Sequence, residues 1–127
     1  MKIINTAVIG SGFMGAAHIE ALRRIGGVNI KAIVSDDLPA AKSIAEKYSI
    51  PDVYSDYKKV LEDKEIEAIH NCTPNYLHFE INKAAAEAGK HIISEKPLTT
   101  NSEDSKVLVD LVKKNKLVNA INFNYRF

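Results

Sequence analysis

The sequence predicts an α/β fold: a doubly wound parallel sheet of about six strands with helices on both faces. Three observations carry this prediction. Short Ile- and Val-rich runs alternate with amphipathic segments along the whole chain, the runs hold few charges, and a glycine-rich stretch directly follows the first of them. β-branched runs with little charge suit strands buried on both faces, as in parallel sheets. Strict alternation of strands with helices gives right-handed crossovers and a helical layer on each side.

The first strand is expected over residues 3–9 and the second over 29–34, with Val53-Tyr54 a minimal third. Runs at 68–72, 91–94 and 117–122 complete the series. A helix opens at the glycine-rich stretch and runs to about residue 25. In the next helix, Ala41, Ile44, Ala45 and Tyr48 recur at i, i+3, i+4 and i+7, and Pro39 falls in the first turn, where its missing N–H costs little. Residues 55–62 carry Tyr57, Val60 and Leu61 at helical spacing. Ile81, Ala84, Ala85 and Ala88 mark another apolar face, with Gly89 as its C-terminal stop. The last helix presents Val107, Leu108, Leu111 and Val112. Asn101 is its N-cap, and Glu103 and Asp104 face the positive end of the helix dipole. These elements form one domain over residues 1–122, and residues 123–127 begin a crossing segment.

Composition narrows the function. The chain has 127 residues, with 17 Lys and Arg against 16 Asp and Glu. That balance gives no reason to expect nucleic acid or an anionic membrane surface as partner. Cys72 is the single cysteine, so no intrachain disulfide forms, which fits a reducing compartment. No apolar stretch approaches the roughly 20 residues of a membrane span, and the N-terminus does not resemble a signal peptide. The expectation is a soluble, cytoplasmic protein without a metal site.

Gly10-Ser11-Gly12-Phe13-Met14-Gly15 matches G-x-G-x-x-G in the required context, between a strand and a helix. Gly10 permits the tight turn, Gly12 lets the backbone approach a pyrophosphate, and Gly15 lets helix and strand pack closely. Phosphates then lie at a helix N-terminus, where free N–H groups and the dipole favour negative charge. Ser35 and Asp36 end the second strand, with Asp36 about 20 residues beyond Gly15. An acid there accepts hydrogen bonds from ribose hydroxyls and repels a 2′-phosphate. No Arg stands beside it, so NAD is favoured over NADP. An alternative for Asp36 or its neighbour Asp37 is to cap the following helix.

Ligands of doubly wound sheets bind outside the carboxyl ends of the strands. Two polar stretches fall there: Thr73-Pro74-Asn75 with His78 after the fourth strand, and Glu95-Lys96-Pro97 after the fifth. Each also has a plain structural reading, as turn, helix cap or surface ion pair. Cys72 has no evident catalytic partner set and is assigned no chemistry.

Taken with the glycine motif, these stretches resemble the amino-terminal, Rossmann-type domain of the glucose-fructose oxidoreductase / inositol dehydrogenase / rhizopine-catabolism (Gfo/Idh/MocA) family, over essentially the whole chain. The Glu-Lys-Pro tripeptide is the most specific element. The resemblance implies NAD, with NADP as the other option, as the cofactor. Gly10, Gly12, Phe13, Met14, Gly15, Ser35, Asp36, Thr73, Pro74, Asn75, His78, Glu95 and Lys96 would be its contacts, with Glu95 on the nicotinamide ribose. It implies Lys96 as the catalytic group, acting on the reacting oxygen of a sugar, polyol or related hydroxy compound. The family often has a cis bond before this proline, which points to a cis Lys96–Pro97 bond. Family members continue into a second α+β domain that supplies substrate contacts and usually the subunit interface. The chain is therefore expected to be a fragment, inactive alone, of a homo-oligomeric enzyme. The other readings are a dinucleotide-binding sensor or transcriptional regulator on the same scaffold, and an S-adenosylmethionine-binding domain. The complete glycine motif and a sixth strand argue against the second.

Overall fold

The structure, a computed structural model, describes residues 2–126, so Phe127 of the expected crossing segment lies outside the described residues. The strands are β1 (Ile4–Ile9), β2 (Val28–Val34), β3 (Asp52–Tyr54), β4 (Ala68–Asn71), β5 (His91–Glu95) and β6 (Asn119–Asn122). They alternate with α1 (Phe13–Arg23), α2 (Leu38–Tyr48), α3 (Lys58–Glu62), α4 (His78–Glu87) and α5 (Ser102–Lys114). The sheet order is β3-β2-β1-β4-β5-β6 with every pair parallel. Chain direction across the sheet reverses between β1 and β4. That switch point opens a crevice at the carboxyl ends, where the glycine turn emerges.

Side chains alternate across the sheet into two cores. Ala7, Ile9, Ala32, Val34, Ile69 and Ile92 face α3, α4 and α5, meeting Val60, Ile81, Ala85 and Val112. Val8, Ile30 and Ile33 face the other way, onto Ile19 and Leu22 of α1 and Ala41 and Ala45 of α2. A bulge lets β2 serve both: Thr6 pairs with Ile30 but Ala7 with Ala32, leaving Lys31 as the extra residue. Its ammonium, expelled from the ladder, bonds Asp63 at 2.8 Å and also Glu65.

Local signals place most boundaries. Asn101 caps α5 by accepting the Asp104 N–H at 2.8 Å, and Gly89 ends α4 with φ +74°. The segment expected as a helix over 55–62 is helical only from Lys58, because the Asp56 carboxylate takes the Lys58 N–H and holds the preceding residues in a turn. β6 begins at Asn119, two residues later than expected. Lys116, at φ +53°, turns the chain out of α5, and Leu117 N–H bonds back to Val112.

Candidate functional site

Gly10 leaves β1 at φ +113°, a region L side chains rarely adopt. A Cβ there would overlap the Cys72 carbonyl oxygen at the end of β4. Gly15, in the first turn of α1, passes so close beneath the turn that a Cβ would overlap the Gly10 carbonyl oxygen. Gly12 differs from both. It is the N-cap of α1 in extended backbone, and a Cβ there would meet nothing within 4 Å. The first and third glycines are required by the protein's own packing; the second is free of it and faces open space at a helix N-terminus.

That space is a cleft of about 510 Å³ between the glycine turn, the end of β2 and the loop after β4. It falls in the range of small-ligand sites. Ser11, Phe13, Met14, Ser35, Asp36, Thr73 and Pro74 line it. Ser35 is buried and ties the turn to β2, its Oγ 2.6 Å from Ser11 Oγ and accepting the Asp37 N–H at 3.1 Å. The two acids divide. Asp37 caps α2 by accepting the Ala40 N–H at 3.0 Å, while Asp36 stays exposed at the cleft mouth.

Ser55, Tyr57, Tyr76 and Leu77 also line the cleft and were not anticipated as site residues. Tyr57 donates to Glu80 at 2.7 Å; burial and that carboxylate push its phenol up to about 12. Cys72 lines the cleft too, but burial pushes its thiol up to about 12, so it stays protonated and a poor nucleophile at neutral pH.

The other expected residues lie away from this cleft. Asn75 is exposed and opens a short 3-10 turn over Asn75–Leu77. His78 is fully buried between two loops, with Nε2 2.8 Å from the Thr73 carbonyl and Nδ1 against the Pro97 carbonyl. Thr73 Oγ1 donates to Asn71 Oδ1 at 2.7 Å. Asn71 then bonds Asn82 at 2.8 Å, and Asn82 bonds Ser94 at 2.9 Å, a buried amide chain under the ends of β4 and β5.

Glu95 ends β5 facing α1, and only 5 % of it is exposed. Its Oε1 accepts His18 Nε2–H at 2.8 Å and Asn122 Nδ2–H at 2.6 Å. Burial raises the carboxyl, but the bonds from Asn122 and His18 outweigh it and hold the pKa below the usual range. His18 Nδ1 shares a hydrogen bond with His70 Nδ1 at 2.9 Å. Burial, with His18 beside it, pushes His70 down to about 4, so His70 is neutral. Lys96 follows with an exposed side chain, in a shallow groove with Phe123, Asn124, Tyr125 and Arg126, and the Lys96–Pro97 bond is cis.

His18 was missed, although its signal was present. It lies on the same helical stripe as Gly15, Ile19 and Leu22, the buried face of α1. His70, in the middle of an apolar strand, was equally visible. That the two meet was not, because they are far apart in sequence. Among the described residues no group of three or more His, Cys, Asp or Glu is placed to hold a metal ion, and no helix is long and apolar enough to cross a membrane.

The strand order, the glycine turn at the switch point and the acid at the cleft mouth define a dinucleotide-binding α/β domain. Comparison with known proteins makes this specific. Residues 4–123 match the oxidoreductase family with an NAD-binding Rossmann fold, the Gfo/Idh/MocA family, and the chain belongs to it. It is 37% identical to levoglucosan dehydrogenase of Pseudarthrobacter phenanthrenivorans, over 99% of this chain and 34% of that protein. Myo-inositol 2-dehydrogenase of Thermotoga maritima is 32% identical over 94% of this chain and 36% of its own length. A solved structure of levoglucosan dehydrogenase with NADH and levoglucosan superposes with a TM-score of 0.89 at 38% identity. That match covers 98% of this chain and 36% of the other. The chain thus spans about a third of the length of these relatives.

Proposed function

We propose that this domain holds the nicotinamide cofactor of an oxidoreductase that moves hydride between the cofactor and a sugar, polyol or related hydroxy compound. The single observation that carries the reading is the unobstructed Gly12 at the α1 N-terminus, between two glycines that packing requires. An ordinary strand-to-helix turn needs the outer two glycines but has no use for the middle one. The open cradle fits a pyrophosphate, whose charge the free N–H groups and helix dipole would hold. When bound, the nicotinamide would supply the hydride chemistry.

The chain's own residues do the rest. Asp36, released from capping duty, accepts hydrogen bonds from the adenosine ribose and repels a 2′-phosphate, which favours NAD over NADP. Thr73, Pro74, Met14 and Phe13 wall the cleft. Lys96 presents an ammonium at the carboxyl end of β5, where it stabilises charge on a substrate oxygen and passes the proton. The substrate class rests on the dehydrogenase relatives. Titration of the chain with NADH and NADPH by cofactor fluorescence tests the reading: NADH binds more tightly, and failure of both to bind refutes it.

A further inference from the structure

We infer that His18 and His78 are positioning residues for Lys96, pinning the end of β5 from opposite faces of the sheet. The inference rests on the reading of Lys96 given above. His18 reaches Lys96 through the carboxylate of the preceding residue: Nε2–H to Glu95 Oε1 at 2.8 Å, with Asn122 on the same oxygen at 2.6 Å. Because Glu95 is turned beneath the sheet, its side chain anchors the strand end and leaves Lys96 as the group facing outward. His78 acts on the following residue. Its ring lies between the Pro97 and Thr73 carbonyls, each within reach of one ring nitrogen, and so fills the space between the Lys96 loop and the loop that walls the cleft.

The two imidazoles therefore hold residues 95 and 97 while the Lys96 side chain between them stays exposed. Both rings are at least nine-tenths buried and reach no cleft-facing position, so neither touches a ligand in the cleft. A general acid–base group needs this kind of support, since a displacement of about 1 Å costs up to about 10²-fold in rate. The Asn71–Asn82–Ser94 chain braces the same strand end, Ser94 Oγ donating to the Glu95 carbonyl at 3.1 Å.

The test is NMR of the chain with its lysines reductively ¹³C-methylated, the Lys96 resonance being assigned by its loss in Lys96→Arg. In His18→Asn, too short to reach Glu95, and separately in His78→Leu, the Lys96 resonance is expected to shift or broaden. The other lysine signals should stay in place, and in His18→Asn NADH affinity should stay within about threefold of wild type. His18→Gln, which keeps a donor near the Nε2 position, restores the wild-type Lys96 signal. In an enzyme that joins this domain to a substrate-binding domain, His18→Asn is expected to lower kcat by about 10²-fold with little change in the cofactor KM. An unmoved Lys96 resonance in folded variants overturns the inference, as does equal movement of every lysine. Should neither variant fold, ¹⁵N relaxation of the wild-type chain decides. A Lys96 amide order parameter near 0.85, that of rigid backbone, supports the pinning, and one below about 0.6 overturns it. Failure of the wild-type chain to bind NADH sinks the cofactor reading instead, so the two failures are distinguishable.

Discussion

Replacing Gly12 by Ala separates binding from folding more cleanly than any other single change in the cleft. The residue sits in extended backbone with nothing within 4 Å of a new Cβ, so neither strain nor overlap follows. Reduced freedom of the unfolded chain stabilises by about 0.4–1 kcal/mol. Ala is a poorer N-cap than Gly by roughly half a kcal/mol, which offsets much of that. The net change stays within about 1 kcal/mol, or roughly 5 °C in Tm. The new methyl instead occupies the approach to the helix N–H groups. Loss of two hydrogen bonds to a charged phosphate, at about 1.5–3 kcal/mol each, weakens NADH by about 10²–10⁴-fold. Gly15→Ala is the counter-case: its Cβ overlaps the Gly10 carbonyl oxygen, and such overpacking costs at least about 1–3 kcal/mol of stability. Urea and thermal unfolding followed by circular dichroism, with NADH fluorescence titration of each folded variant, provide the assay. Wild-type NADH affinity in Gly12→Ala would refute the argument and leave the turn a purely structural device.

Other outcomes follow from the same geometry. Asp36→Ala narrows the NADH over NADPH preference without changing stability, as parallel titrations will show. Stability falls on acidification from about pH 6.5. His70 is held near 4, so the unfolded chain binds more protons between those values, and up to about 3 kcal/mol is lost by pH 4. Glu95, its pKa depressed, adds its own loss below the ordinary carboxylate range, in the same direction. Urea midpoints at pH 7.5 and 5 should differ in the wild type and converge in His70→Gln. In an enzyme that joins this domain to a substrate-binding domain, Lys96→Ala is expected to lower kcat by about 10²–10⁴-fold with NAD affinity little changed, while the 127-residue chain alone is expected to bind cofactor without turning over polyols or sugars.

The order of elements and the glycine turn were legible because they are local. A run of Ile and Val beside three spaced glycines fixes strand, turn and helix with no knowledge of partners. Boundaries slipped where one side chain redirected the backbone, as Asp56 did before α3. The site was half legible. Gly12, Ser35 and Asp36 lie where spacing put them. The roles of His78 and Glu95 depend on what surrounds them: one ring among backbone carbonyls, one carboxylate between an imidazole and an amide. Sequence distance hides such contacts, since His18 and Glu95 are brought together only by packing of α1 on the sheet.

The adjoining acids at 36 and 37 have a consequence for how the domain can change. One is committed to the architecture, through its bond to the Ala40 amide; the other has no structural obligation. If Asp36 meets the adenosine ribose as proposed, cofactor preference would rest on a position that can mutate without a folding penalty, one residue away from a position that cannot. On that reading, selection or an engineer could retune which cofactor pool the protein draws on in a single step, leaving the helix start intact.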